Sequence, residues 1–176
     1  MRPIVAVAAA LLTVASTLAQ AAEPPCLSPA EFTSLADYAL PSIISGASQR
    51  CSASLGAQAW LPHNGAQLIE RYSERRPAAW PGAKAAFLKL SASTNADANS
   101  VIRTLPDASL QQMLDSLMTG LVAQHVPVDR CAAIDRLVAL LSPLPAASTA
   151  EVIALAVGLG AKAGQARIGA ITICEA

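Results

Sequence analysis

The sequence predicts an all-α fold: a single-domain helical bundle of about five to seven helices with short Pro-punctuated loops, stapled by two disulfides. Three observations carry this expectation. Apolar residues recur at helical spacing along most of the chain, and no alternating run of convincing length marks a strand. Capping patterns precede the apolar runs, and prolines follow them. Four cysteines, Cys26, Cys51, Cys131 and Cys174, sit at spacings that fit no metal or redox motif.

The chain opens on Met1-Arg2-Pro3, an apolar stretch from Ile4 to about Leu18, and Ala19-Gln20-Ala21. One early positive charge, a small-residue apolar run and an A-x-A site predict a cleaved signal peptide over residues 1–21. The apolar stretch is shorter than the roughly 20 residues of a stable membrane span, and no second long apolar segment follows it. The expectation is a single helical domain over residues 22–176. A bacterial-type export signal would leave it periplasmic or secreted, with no stable membrane span after cleavage.

The first helix starts at Ser28-Pro29-Ala30-Glu31, a capping box with proline at the first helical position. Phe32, Leu35, Ala36, Ala39, Ile43 and Ala47 follow at helical spacing. Pro41, which lacks a backbone donor, is expected to kink or end this helix. Asn64-Gly65-Ala66-Gln67 signals a second helix through Leu68, Ile69 and Tyr72 to Arg76, stopped by Pro77. Pro81 opens a short helix through Ala83, Phe87 and Leu90, and Thr94-Asn95-Ala96-Asp97 caps another that runs to Leu105. Asp107 caps the next, which places Leu110, Leu114, Leu117, Met118 and Leu121 on one face. Beyond Pro127 and Asp129, Cys131, Ile134, Leu137, Val138 and Leu141 form a helix closed by Pro143 and Pro145. Ser148-Thr149-Ala150-Glu151 is a second capping box, opening a helix through Val152, Leu155 and Leu159. Gly164 to Ala176 reads as a short helix or as an extended tail fixed by Cys174.

An even cysteine count in an exported chain predicts two disulfides. A continuous helix from Pro29 to about Arg50 would be roughly 33 Å long, whereas bridged Cα atoms lie within about 7 Å. Cys26 therefore pairs with Cys51 only if Pro41 turns the chain sharply back. The spacing leaves three connectivities open: Cys26–Cys51 with Cys131–Cys174, Cys26–Cys174 with Cys51–Cys131, and Cys26–Cys131 with Cys51–Cys174. The proximity of chain termini in compact domains favours a staple between Cys174 and the N-terminal half.

Twelve basic and twelve acidic residues balance, and loss of Arg2 with the signal leaves a slight acidic excess. Nothing in that balance holds a phosphate backbone, so no nucleic-acid partner is expected. Glu70, Arg71, Glu74, Arg75 and Arg76 are the densest charge cluster. Their spacing reads as a solvated helix face, with an arginine patch for a carboxylate or phosphate as the functional alternative. His63 and His125 belong to no metal-ligand spacing. Met113 and Met118 read as core filling. No G-x-S-x-G, S-x-x-K, C-x-x-C-H or Gly-rich phosphate loop occurs. No catalytic residue, metal site or cofactor is therefore assigned.

All six aromatics, Phe32, Tyr38, Trp60, Tyr72, Trp80 and Phe87, lie in the first half. An aromatic-walled pocket would have to come from there, which makes Trp60, Tyr72, Trp80 and Phe87 the candidate ligand-binding residues. The plainer reading is that both tryptophans fill the core under irregular loops. Three functional readings follow. The first is a non-enzymatic exported helical domain that binds an envelope or extracellular protein, and it expects an exposed apolar surface. The second is a carrier of a small apolar ligand in a bundle cavity lined by the front-half aromatics. The third is a hydrolase, which needs a serine or carboxylate held beside His63 or His125 in a cleft.

Overall fold

The computed structural model describes residues 26–94, 96–162 and 174. They form seven α-helices: α1 (Pro29–Cys51), α2 (Trp60–Ser73), α3 (Arg76–Thr94), α4 (Ala96–Ile102), α5 (Asp107–His125), α6 (Cys131–Leu141) and α7 (Ala146–Lys162), with a 3-10 turn over Val128–Arg130. Among the described residues there is no strand, and no helix is long and apolar enough to cross a membrane. The expected signal peptide over residues 1–21 and the ambiguous stretch from Gly164 onward, Cys174 apart, lie outside the described residues.

The reciprocal capping box sets the start of α1. The Glu31 backbone N–H donates to Ser28 Oγ at 3.2 Å, and the Ser28 N–H donates to Glu31 Oε2 at 2.7 Å. Pro29 occupies the first turn, where its missing N–H is no loss. Pro41 does not end the helix: α1 runs unbroken to Cys51, and Pro41 is buried within it. Cys26 and Cys51 are thus kept at opposite ends of a long helix. The bridges are Cys26–Cys174 and Cys51–Cys131, with Cα separations of 4.9 and 5.5 Å. The Cys174 N–H also donates to the Leu27 carbonyl at 2.8 Å, beside the outer bridge. Both bridges fit an oxidising, non-cytoplasmic environment.

Several helix boundaries differ from the sequence expectation, each for a local reason. The second helix starts at Trp60 rather than Asn64, because Asp135 of α6 reaches across to accept the Trp60 and Leu61 N–H groups at 3.2 and 2.6 Å. A partner distant in sequence thereby does the work of an N-cap. Pro81 lies inside α3 instead of opening it, since Pro77 already occupies the first turn. Asp107 is the first residue of α5 and not its cap; its carboxylate is drawn to Trp80 Nε1 at 2.9 Å and Lys84 Nζ at 2.6 Å. Ser148 and Thr149 lie within α7, which begins at Ala146 after Pro145. Thr149 Oγ1 donates back to the Pro145 carbonyl at 3.1 Å.

The remaining helices are arranged around α1, which packs mainly against α3, α5, α7 and α2. Its buried residues, from Phe32 through Tyr38 and Ile44 to Cys51, cover most of its circumference, as expected of a helix at the centre of a bundle. Two glycines permit the closest crossings. A Cβ on Gly46 would meet the Thr119 carbonyl of α5 at 2.5 Å, and one on Gly82 of α3 would meet Ser34 Oγ at 2.5 Å. Tyr72 ties α2 to the α6–α7 turn: its hydroxyl sits 3.1 Å from the Leu144 carbonyl and 3.0 Å from Thr149 Oγ1.

One buried charge on α1 works against stability. Asp37 is enclosed, its Oδ1 has no hydrogen-bond partner among the described residues, and the half-exposed Arg75 guanidinium stands 3.6 Å from Oδ2. Burial raises its carboxyl above the ordinary value of 3.8, and Arg75 only partly opposes the shift. The native chain therefore holds the Asp37 proton more tightly than the unfolded chain does. Its contribution is most favourable below pH 3.8 and is lost as pH rises through the raised native value. Asp37→Asn is expected to be more stable than the wild type at pH 7, with the gap closing as pH falls below about 4. Urea unfolding across that range checks it, and a variant weaker than the wild type at pH 7 contradicts it.

Candidate functional site

In the charge cluster at the α2–α3 junction Glu70, Arg71, Glu74 and Arg75 are exposed, as a solvated face requires, and Arg76 is half-buried. The three arginines of the cluster are aimed at three different parts of the fold. Arg71 donates to the Ser142 carbonyl after α6, and its guanidinium lies 5.5 Å from the Tyr72 ring centroid. Arg75 faces Asp37 of α1. Arg76, the first residue of α3, pairs with Asp115 of α5 and lies over the Tyr38 ring of α1 at 4.2 Å. Helical spacing describes neighbours on one helix, whereas these partners are brought in by packing.

Arg76 marks a cleft of about 360 Å³ where α1, the start of α3 and α5 meet. Tyr38 and Trp80 form its aromatic wall, their ring centroids 5.1 Å apart. Trp80 is fixed through Nε1 by Asp107, and the Lys84 and Trp80 hydrogen bonds hold the Asp107 carboxyl below its usual range. Asp115 and Gln111 face from α5, and Ser73 and Pro77 close the end between α2 and α3. Asp115 Oδ1 accepts from both Arg76 and Ser42 Oγ, the latter at 3.1 Å. The Tyr38 residue is only 2% exposed. Its hydroxyl makes no hydrogen bond to a described residue, and burial raises its pKa above the usual phenol value of 10.0, with Arg76 opposing.

A second, smaller recess of about 90 Å³ lies near Cys51, lined by Ser48, Ser52, Leu55, Leu61 and Pro62. It is below the few hundred Å³ of small-molecule sites.

The four aromatics singled out by sequence are dispersed. Trp80 lines the larger cleft, whereas Phe87 is buried in the core and Trp60 packs half-buried against it. Tyr72 is committed to the α6–α7 turn. Tyr38 was not among the four; it lies mid-helix in a strongly apolar run, which reads as core. The two histidines are exposed and hydrogen-bonded to nearby carbonyls, His63 Nε2 to Ala57 at 2.6 Å and His125 Nδ1 to Leu121 at 2.9 Å. Among the described residues neither ring is hydrogen-bonded to a serine or carboxylate, so no nucleophile–base pair is built around either. No group of three or more metal-ligating side chains occurs among the described residues.

A different asymmetry appears on the surface. Among the described residues the exposed large hydrophobics are Val101, Leu117, Leu121, Val128, Leu137, Leu140, Val152 and Leu155, all behind residue 100. Helices α5, α6 and α7 each carry an i,i+3 or i,i+4 pair of them: Leu117 with Leu121, Leu137 with Leu140, and Val152 with Leu155. No protein-family model matches this chain, and comparisons with curated proteins and with solved structures gave no match.

Proposed function

We propose that the chain is an exported, non-enzymatic helical domain, with residues 1–21 as its signal peptide, that binds an envelope or extracellular protein through the apolar ridges of α5, α6 and α7. The supporting observation is the exposure of large hydrophobics on these three helices, with Leu140 at 68% and Leu155 at 67%. Scattered exposed leucines are ordinary, but exposed pairs on three helices, against a front half whose described large hydrophobics are buried or half-buried, favour a contact surface. The charge pattern favours protein over lipid. A helix lying on a membrane surface carries lysine and arginine along its polar face, and between them α5, α6 and α7 contain only Arg136 and Lys162.

The test is site-specific crosslinking in the producing cells. A photoreactive phenylalanine analogue substituted for Leu140 or Leu155 is expected to give one discrete protein adduct. The same analogue in place of exposed Gln67 or Ala78 on the front half should give none. Leu137→Ser placed in the same chain should abolish the adduct. Equal labelling at the control positions, a lipid adduct, or an adduct with a second copy of this chain would each overturn the reading.

A further inference from the structure

We infer that the cleft between α1, α3 and α5 is a binding site for a small zwitterion of the α-amino-acid type. This is independent of the apolar surface, which lies on other side chains.

The argument starts from the charge in the cleft. Arg76 and Asp115 face each other across it as an ion pair, one from α3 and one from α5. An anion entering the cleft meets Asp115 and a cation meets Arg76, so either alone is opposed. A molecule with a carboxylate and an ammonium group side by side meets each partner with the right sign. The pair is also incompletely used by the protein. Both described contacts to Asp115, from Arg76 and from Ser42, go to Oδ1. That leaves Oδ2 as an acceptor for an ammonium group. Arg76 contacts Asp115 through one terminal nitrogen, and its other terminal nitrogen is a donor for a carboxylate.

The second line comes from the guanidinium. A buried side-chain nitrogen ordinarily has a hydrogen-bond partner, yet Arg76 Nε is buried and has none among the described residues. The Tyr38 ring lies under that guanidinium at 4.2 Å, and Tyr38 lines this cleft. The Tyr38 hydroxyl makes no hydrogen bond to a described residue and is not an enclosed atom, so it is open to an entering ligand. A ligand carboxylate would accept from both Tyr38 and Arg76. Trp80 and Pro77 supply the apolar wall for the rest of the molecule. The cleft of about 360 Å³ lies within the range of small-molecule sites and leaves room for a side chain.

The experiment uses the mature, oxidised protein carrying Trp60→Phe, which leaves Trp80 as the sole fluorescent indole. It is titrated with each of the common amino acids. Acetate, ethylamine, N-acetylated and amidated forms of the best binder, and glucose serve as comparators. The expected result is a saturable Trp80 signal with at least one free amino acid. Blocking either its amino or its carboxyl group should weaken binding about tenfold or more. Asp115→Asn and Arg76→Met should each weaken it by about ten- to hundredfold. Tyr38→Phe keeps the ring under Arg76 and removes only the unpartnered hydroxyl, so it should fold normally and still weaken binding several-fold. The proposal is overturned if no free amino acid saturates the signal, if glucose or the blocked forms bind as well as the free zwitterion, or if a folded Tyr38→Phe protein binds undiminished.

Discussion

Replacing Cys51 and Cys131 together with alanine is expected to lower stability by about 4 kcal/mol, a fall in Tm of roughly 8–16 °C for a domain of this size. The bridge closes a sequence separation of 80 residues, and the cost of reopening a loop of that length in the unfolded chain sets the magnitude. Both sulfurs lie in the core, Cys51 fully buried and Cys131 nearly so, so alanine removes the crosslink without exposing a thiol. The outer bridge, Cys26–Cys174, spans 148 residues, and loop length alone would give it slightly the larger effect. Its native setting reverses the order. Cys174 is bridged to Cys26, and its N–H donates to the Leu27 carbonyl. Cys26 and Cys174 are half-buried, whereas Cys51 and Cys131 lie in the core, so alanine at the outer pair leaves less of a cavity. Cys26→Ala with Cys174→Ala is therefore expected to cost less than the inner pair. Thermal unfolding of the two double variants, followed by far-UV circular dichroism, decides the order. A larger loss from the outer pair would show that the loop-length term alone governs both.

The bridges also illustrate what was legible in the sequence. The all-α class, the number of helices and the start of α1 follow from spacing within about one turn of helix, and such patterns are local by construction. Ser28 and Glu31 meet because they are three residues apart at a helix start. The same pattern at Ser148–Glu151 misleads because Pro145 starts α7 one turn earlier, and S-x-x-E is equally at home inside a helix. Asp107 and Asp135 lie beyond any local reading. One is claimed by Trp80 and Lys84 of α3, and the other caps α2 from α6. The cleft is invisible for the same reason. Tyr38, Arg76 and Asp115 come from three helices, and nothing in their separations of 38 and 39 residues predicts that they meet. Cluster density at Glu70–Arg76 did identify a segment rich in charged contacts. It could not assign the partners, because an arginine reaches equally well into solvent or across a groove.

Gly46 connects the packing of α1 to the geometry of that cleft, and Gly46→Val is expected to cost about 3 kcal/mol. A Cβ there would stand 2.5 Å from the Thr119 carbonyl oxygen and 2.9 Å from Val122 Cβ. The carbonyl is backbone and cannot rotate away, so α5 as a whole has to move off α1. Three other contacts cross the same seam: Ser42 to Asp115 at 3.1 Å, Thr119 Oγ1 to the Ser42 carbonyl at 3.3 Å, and Arg50 Nε to the Val126 carbonyl at 2.9 Å. Lifting α5 stretches all of them and withdraws Asp115 and Gln111 from the cleft wall. Gly120 supplies the control, on α5, the helix that Gly46 of α1 abuts. A Cβ there meets nothing within 4 Å, so Gly120→Ala relieves a helix interior of its most flexible residue. It should gain roughly 0.5–1 kcal/mol. Urea unfolding of the two variants is expected to give opposite signs. Two losses of similar size would mean that the close approach of α1 at Gly46 is not what fixes the position of α5. With α5 held by that approach, Asp115 is presented to Arg76 by backbone packing, and the affinity of the cleft should fall in Gly46→Ala and stay unchanged in Gly120→Ala.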